Sequence, residues 1–197
     1  MTSPERFTPE NALVMLVDHQ TGTLGWVKSL PQDMVRTSCR VLARMAVAYN
    51  MPIVLTTTME EQVGLSIPDL QDLAPDAFAR RFARGGQLNC WDDHRLRDAV
   101  AALSRRKIVL AGLTTDICLF WAARSALALG YEVLVVADAC GTTSPLGDTL
   151  TYDRLRAEGA QISVINQVVT ELVNDFGDPS GQLAQTIMGE EIIAKLS

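Results

Sequence analysis

KIVLAGLTTDIC, Lys107–Cys118, is the stretch whose reading decides the fold. From Lys107 to Ala111 it is almost wholly apolar, with no polar alternation. A strand of that kind is buried on both faces, as in a parallel sheet covered by helices. Gly112 follows, then Leu113-Thr114-Thr115. From Asp116 to Leu129 the chain reads as a strongly apolar helix that stops at Gly130, a C′ residue. A buried strand running straight into a helix is half of a βαβ unit.

Outward from this stretch the same alternation recurs. Ala12–Val17 (ALVMLV), Pro52–Thr57 (PIVLTT), Glu132–Ala137 (EVLVVA) and Gln161–Ile165 (QISVI) read as further strands. Between Met34 and Tyr49, residues Val35, Cys39, Leu42, Met45, Ala46 and Tyr49 fall on one helical face. Asp92–Leu103, Gly147–Glu158 and a tail over 181–196 are the remaining helices. The order predicts one α/β domain over 1–197, with its core at about 11–174 and a C-terminal helical tail. Its architecture is three-layer α/β/α, doubly wound and Rossmann-like, around a mainly parallel sheet of five to six strands.

Composition removes several function classes. A formal net charge of -6 and a pI near 4.9 oppose nucleic-acid binding, which needs a basic footprint. The longest apolar runs are of strand length, so no membrane partner is expected. Met1–Glu10 is polar and carries Pro4 and Pro9, without the apolar h-region of a signal peptide, and a cytoplasmic protein is expected. Cys39, Cys90, Cys118 and Cys140 are widely spaced, and His19 and His94 are the two histidines; no metal site and no cofactor are expected. No G-x-G-x-x-G follows the first strand, against dinucleotide binding.

In a doubly wound sheet the site lies at the carboxyl ends of the strands. Asp18 ends the first, Asp138 the fourth, and Cys118 falls in the first turn of the helix after the third. There the unpaired N–H groups and the helix dipole would lower the thiol pKa and could hold an oxyanion. Asp18 could take the thiol proton, and a cation would favour the thiolate. Each residue also has a plainer role open to it. Cys118 could simply pack in an apolar helix, Asp18 could cap a turn, and Arg84 could pair with Asp92 or Asp93. Asp138 is expected to order the loop containing Cys140, Gly141 and Thr142, and Phe120 and Trp121 to serve as core or subunit-contact residues.

Four segments in order, VDHQTG from Val17, ARGGQLNCWDD from Ala83, GLTTDIC from Gly112 and VVADACGT from Val135, resemble the isochorismatase-like cysteine hydrolases, and most closely their YcaC-like branch. The resemblance runs from about Asn11 to Asn174. It implies a catalytic triad of Asp18, Arg84 and Cys118, a small-molecule substrate, and a homo-oligomer of the octameric kind. Most of the superfamily carries lysine at the cation position; arginine stays protonated and cannot shuttle a proton. The resemblance also implies a non-proline cis peptide at Thr114–Thr115 and an oxyanion hole from Thr114 and Cys118. It places Gln20, Gln87, Asn89 and Trp91 around the substrate, although a plain structural loop would also account for Gln87, Asn89 and Trp91. Metal-assisted nicotinamide hydrolysis is disfavoured, because Thr57–Pro68 contains no histidine.

The function expected is metal-independent hydrolysis of an amide or related C–N bond through a Cys118 thioester. The alternative is a weak or inactive homologue acting as a binding or assembly protein. A third reading is a Mg²⁺-dependent phosphatase using Asp18, although Gln20 stands where that chemistry wants a second carboxylate.

Overall fold

The structure, a computed structural model, describes residues 5–196. Residues 1–4, within the segment read as having no signal peptide, and residue 197 lie outside the described residues. Six parallel strands form one sheet in the order β3-β2-β1-β4-β5-β6: β1 Ala12–Val17, β2 Ile53–Thr58, β3 Phe82–Arg84, β4 Lys107–Gly112, β5 Glu132–Val136 and β6 Gln161–Ser163. The order reverses between β1 and β4, whose register runs from Ala12 opposite Lys107 to Val17 opposite Gly112. Both of these strands are buried along their whole length, as their unalternating sequences require.

The helices are α1 Thr21–Trp26, α2 Gln32–Ala48, α3 Glu60–Val63, α4 Pro68–Leu73, α5 Pro75–Ala79, α6 His94–Ala102, α7 Phe120–Ala128, α8 Pro145–Ala157, α9 Ile165–Val173 and α10 Pro179–Glu191. One group gathers on α2, which packs on β1 and meets α4, α9 and α10; α7 packs on β5 and meets α8. None of these helices is long and apolar enough to cross a membrane. The face of α2 predicted from its spacing is the buried one: Val35, Cys39, Leu42, Met45 and Ala46 are at most 1% exposed.

Several elements differ from the sequence reading, which did not predict α1, α3, α4 or α5. β3 has only three residues, too few to show a period, and exists because Thr56–Thr58 of β2 pair with it. β6 ends at Ser163, and α9 follows, burying Ile165, Val168, Val169, Leu172 and Val173. The tail helix begins at Pro179, where the Asp178 carboxylate accepts the Gly181 N–H at 2.7 Å, and ends at Glu191. Gly112 marks the closest approach of strand and helix, since a Cβ there would lie 3.1 Å from both Val17 and Leu119.

Candidate active site

At the reversal of strand order, β1 and β4 deliver Asp18 and the turn carrying Cys118 to one edge of the sheet. Asp18 has φ 56°, a left-handed conformation costly for a residue with a side chain. Its neighbours hold it there. The Asp18 N–H donates to the Thr56 carbonyl at 3.0 Å, and the Asp18 carbonyl accepts the Thr23 hydroxyl at 2.6 Å and the Gln20 N–H at 2.8 Å. The bend turns the Asp18 carboxylate, fully buried, toward β2 and β3.

Arg84, at the end of β3, meets that carboxylate with two parallel bonds: Nη1 to Oδ1 at 2.9 Å and Nη2 to Oδ2 at 2.6 Å. The side chains are 2% and 0% exposed, so this is a buried ion pair, and it replaces the surface contact with Asp92 or Asp93 that the sequence left open. Thr56 Oγ1 donates a third bond to Oδ1 at 2.6 Å, and Arg84 Nε donates to the Gln87 carbonyl at 3.0 Å. Burial works against the Arg84 charge, but Asp18 outweighs it and holds the guanidinium above its ordinary pKa. Arg84 is therefore a fixed cation and not a proton carrier.

Cys118 lies in a wide π-helical turn, Thr115–Leu119, that leads into α7; the Leu119 N–H reaches back to the Thr114 carbonyl at 3.2 Å. Cys118 is 7% exposed, and its thiol lies near enough to the Asp18 carboxylate to feel its charge. Burial, reinforced by the Asp18 charge, pushes the thiol pKa up against the opposing pull of Arg84. This corrects the expectation of a lowered pKa: the local helix-terminus argument neglects desolvation and the carboxylate on the thiol. At rest Cys118 is a neutral thiol beside a base. Cys90 lies nearby, fully buried, its thiol pushed up by burial to about 12.

The turn before Cys118 is pinned from β5. Leu113 pairs with Gly141, and the Gly141 carbonyl accepts the Thr115 N–H at 3.0 Å. The non-proline cis peptide joins Leu113 and Thr114, one bond earlier than Thr114–Thr115. Thr142 Oγ1 donates to the Asp116 carboxylate at 2.6 Å and ties the same two loops together.

The other expected site residues have the following partners. Gln20 is fully buried; its amide donates to the Thr58 carbonyl at 2.8 Å and to the Gly64 carbonyl, while its oxygen accepts the Thr58 N–H at 2.8 Å. Both ends being used, it braces the loop after β1 instead of facing substrate. Asn89 accepts the Trp91 N–H at 3.2 Å and donates to Ser125 Oγ at 3.0 Å. Trp91, 3% exposed, donates its indole N–H to the Ala122 carbonyl at 2.9 Å and stacks near Tyr131. These bonds seat the 89–91 segment on α7. Gln87 is exposed; its side-chain oxygen accepts the Gly85 N–H at 3.2 Å. Asp138 accepts the Ile165 N–H at 2.9 Å and so caps α9, a helix unseen in the sequence reading; it does not order the Cys140 loop. Phe120 is buried and Trp121 is 39% exposed.

Thr56 was missed. Its signal was its place at the end of the strand beside β1, where the register sets Thr56 opposite Val17. With Arg84 on both carboxylate oxygens and Thr56 on one, Asp18 is poorly disposed to attack phosphorus, which weighs against the phosphatase reading.

Residues 11–167 match the Isochorismatase domain, and the chain is a member of the isochorismatase family. Within it, the chain is 35% identical over 178 residues to the probable hydrolase YcaC of Escherichia coli (strain K12), covering 89% of this chain and 85% of that protein. It also superimposes on the structure of YcaC from Pseudomonas aeruginosa with a TM-score of 0.91, at 33% identity over 100% of this chain and 96% of that one. The Escherichia coli YcaC structure, described as an octameric hydrolase of unknown specificity, matches with a TM-score of 0.90 at 33% identity, covering 98% of this chain and 94% of that one.

Proposed function

We propose that this chain is a cytoplasmic, metal-independent cysteine hydrolase that cleaves an amide or related C–N bond of a small molecule through a thioester on Cys118. The observation that carries this reading is the buried Asp18–Arg84 pair, with the Cys118 thiol close enough for the Asp18 charge to act on it. Membership of a hydrolase family supports it.

In the first half-reaction the Cys118 sulfur bonds to the carbonyl carbon as its proton passes to Asp18. The carbonyl oxygen becomes the oxyanion, for which the N–H groups of Thr114 and Cys118 are the proposed donors. Asp18 returns the proton to the nitrogen, and the C–N bond breaks to leave the thioester. Water then attacks that carbon, giving its proton to Asp18. The C–S bond breaks, and Cys118 regains its proton as the acid departs. Arg84 transfers nothing; it orients Asp18 and supplies fixed charge.

The buried, protonated thiol is also the observation that favours the alternative, a binding or assembly protein without turnover. The test is to incubate the protein with a panel of small neutral amides, quench in acid and weigh the intact chain. An acyl adduct on Cys118, absent in Cys118→Ala, supports the hydrolase. Full turnover by Cys118→Ala overturns it, and absence of any adduct or turnover leaves the binding protein. We also propose a homo-oligomer, on the precedent of the octameric relative. Light scattering that reports a monomer would remove that part.

A further inference from the structure

We infer that His19 is a positioning residue whose imidazole, as the neutral Nε2–H tautomer, holds the loop that anchors the nucleophile turn against the loop that carries Asp18. Its catalytic consequence rests on the roles proposed above for Asp18 and Cys118; its structural content does not.

His19 follows Asp18 directly and is 1% exposed. Its Nε2 lies 2.8 Å from the Ala139 carbonyl oxygen. A carbonyl can only accept, so Nε2 carries the proton and Nδ1 is bare. Burial holds the imidazole pKa down to about 4, which keeps the ring neutral near pH 7. Ala139 closes the short turn after β5. Two residues later, Gly141 pairs with Leu113 and accepts the Thr115 N–H at 3.0 Å, at the head of the turn bearing Cys118. Two hydrogen bonds in series, His19 to Ala139 and Thr115 to Gly141, thus connect the base to the nucleophile turn across the sheet edge. On the other side, the His19 carbonyl accepts the Ile67 N–H at 2.8 Å, which fixes its backbone at the start of α4.

The second ring nitrogen argues that this bond is the reason for a histidine. Nδ1 is buried without a hydrogen-bond partner, a net penalty that an apolar side chain would avoid. Replacing the imidazole would leave the Ala139 carbonyl with only a long contact from the Cys39 thiol, at 3.8 Å.

The test compares His19→Gln, whose amide nitrogen reaches about as far as Nε2, with His19→Asn, whose amide stops one bond short, and with His19→Leu. Amide hydrogen exchange is followed at Thr115 and, as the internal control, at Ile108–Ala111 of β4. His19→Asn and His19→Leu are expected to speed Thr115 exchange about tenfold or more, with the β4 amides within about twofold of wild type. His19→Gln is expected to restore Thr115 to within about threefold. If His19→Leu does not fold, the Asn and Gln pair decides alone. Unchanged Thr115 exchange in His19→Asn, equal acceleration at Thr115 and in β4, or failure of Gln to restore the bond would each overturn the inference. Failure of the hydrolase reading shows separately, as absence of a Cys118 adduct in the wild-type protein, and leaves the exchange result readable.

Discussion

Asp18→Asn separates the two jobs that the carboxylate does, and its effects on thiol reactivity and on turnover should run in opposite directions. In the native protein burial raises the Cys118 pKa, the Asp18 charge raises it further, and Arg84 opposes them. Asparagine removes the Asp18 charge and frees Arg84 to act on the sulfur. The thiol pKa should therefore fall, and alkylation by iodoacetamide at pH 7 should become faster by about tenfold or more. Hydrolysis should drop by roughly 10²–10⁴-fold, because no base remains to move the proton from sulfur to nitrogen or to activate water. The variant should also lose stability. Arg84, 2% exposed, would keep its charge beside a neutral amide, and breaking a buried pair costs about 3 kcal/mol or more, roughly 6–12 °C in Tm for a chain of this size. The assay is a pH series of alkylation rates read by intact mass, with Cys118→Ala as the blank and Tm measured alongside. An alkylation midpoint that stays put or moves upward would refute the reasoning, since Asp18 could then not be what keeps the thiol protonated.

Cys39, Cys90, Cys118 and Cys140 are all buried, and burial raises every one of their pKa values. Unfolded thiols ionise first as pH rises through about 8.5–9, so the native state binds more protons and stability must fall there; Tm measured from pH 7 to 10.5 should decline, and less steeply in Cys39→Ala. Glu191 is held down to about 2 by its bonds to Arg40 and then Arg44, so its contribution is present above about pH 4.5 and lost as pH falls toward 2. Glu191→Gln should lower Tm by about 3–6 °C at pH 7, and the gap to wild type should close near pH 2. Gln20→Leu should leave the half-buried Thr58 N–H and carbonyl without the Gln20 amide and cost about 1 kcal/mol or more, read by urea unfolding, with Cys118 still alkylated in the folded protein.

Much of the site could be read from the chain before any coordinates. Asp18 and Cys118 follow long apolar runs, and parallel strands bring all their carboxyl ends to one edge. Arg84 was legible by motif alone, because its strand has three residues and no pattern of its own. α9 was legible and overlooked: Ile165, Val168, Val169, Leu172 and Val173 stand at helical spacing directly after the last strand. For Gln20, Asn89 and Trp91 a sequence shows that a polar group is present, not what it bonds. Their partners, Thr58, Ser125 and Ala122, lie 31 to 38 residues away.

By itself the sequence determined the parallel sheet, its helical cover and the edge at which chemistry can occur. Those follow from short-range facts, the absence of polar alternation in strands and the 3.6-residue period of helices. Only the tertiary structure decided the protonation state of Cys118, the locked Asp18–Arg84 pair and the bracing roles of Gln20 and His19. A pKa and a hydrogen bond depend on which distant groups share a few ångströms of buried space, and packing alone brings those groups together.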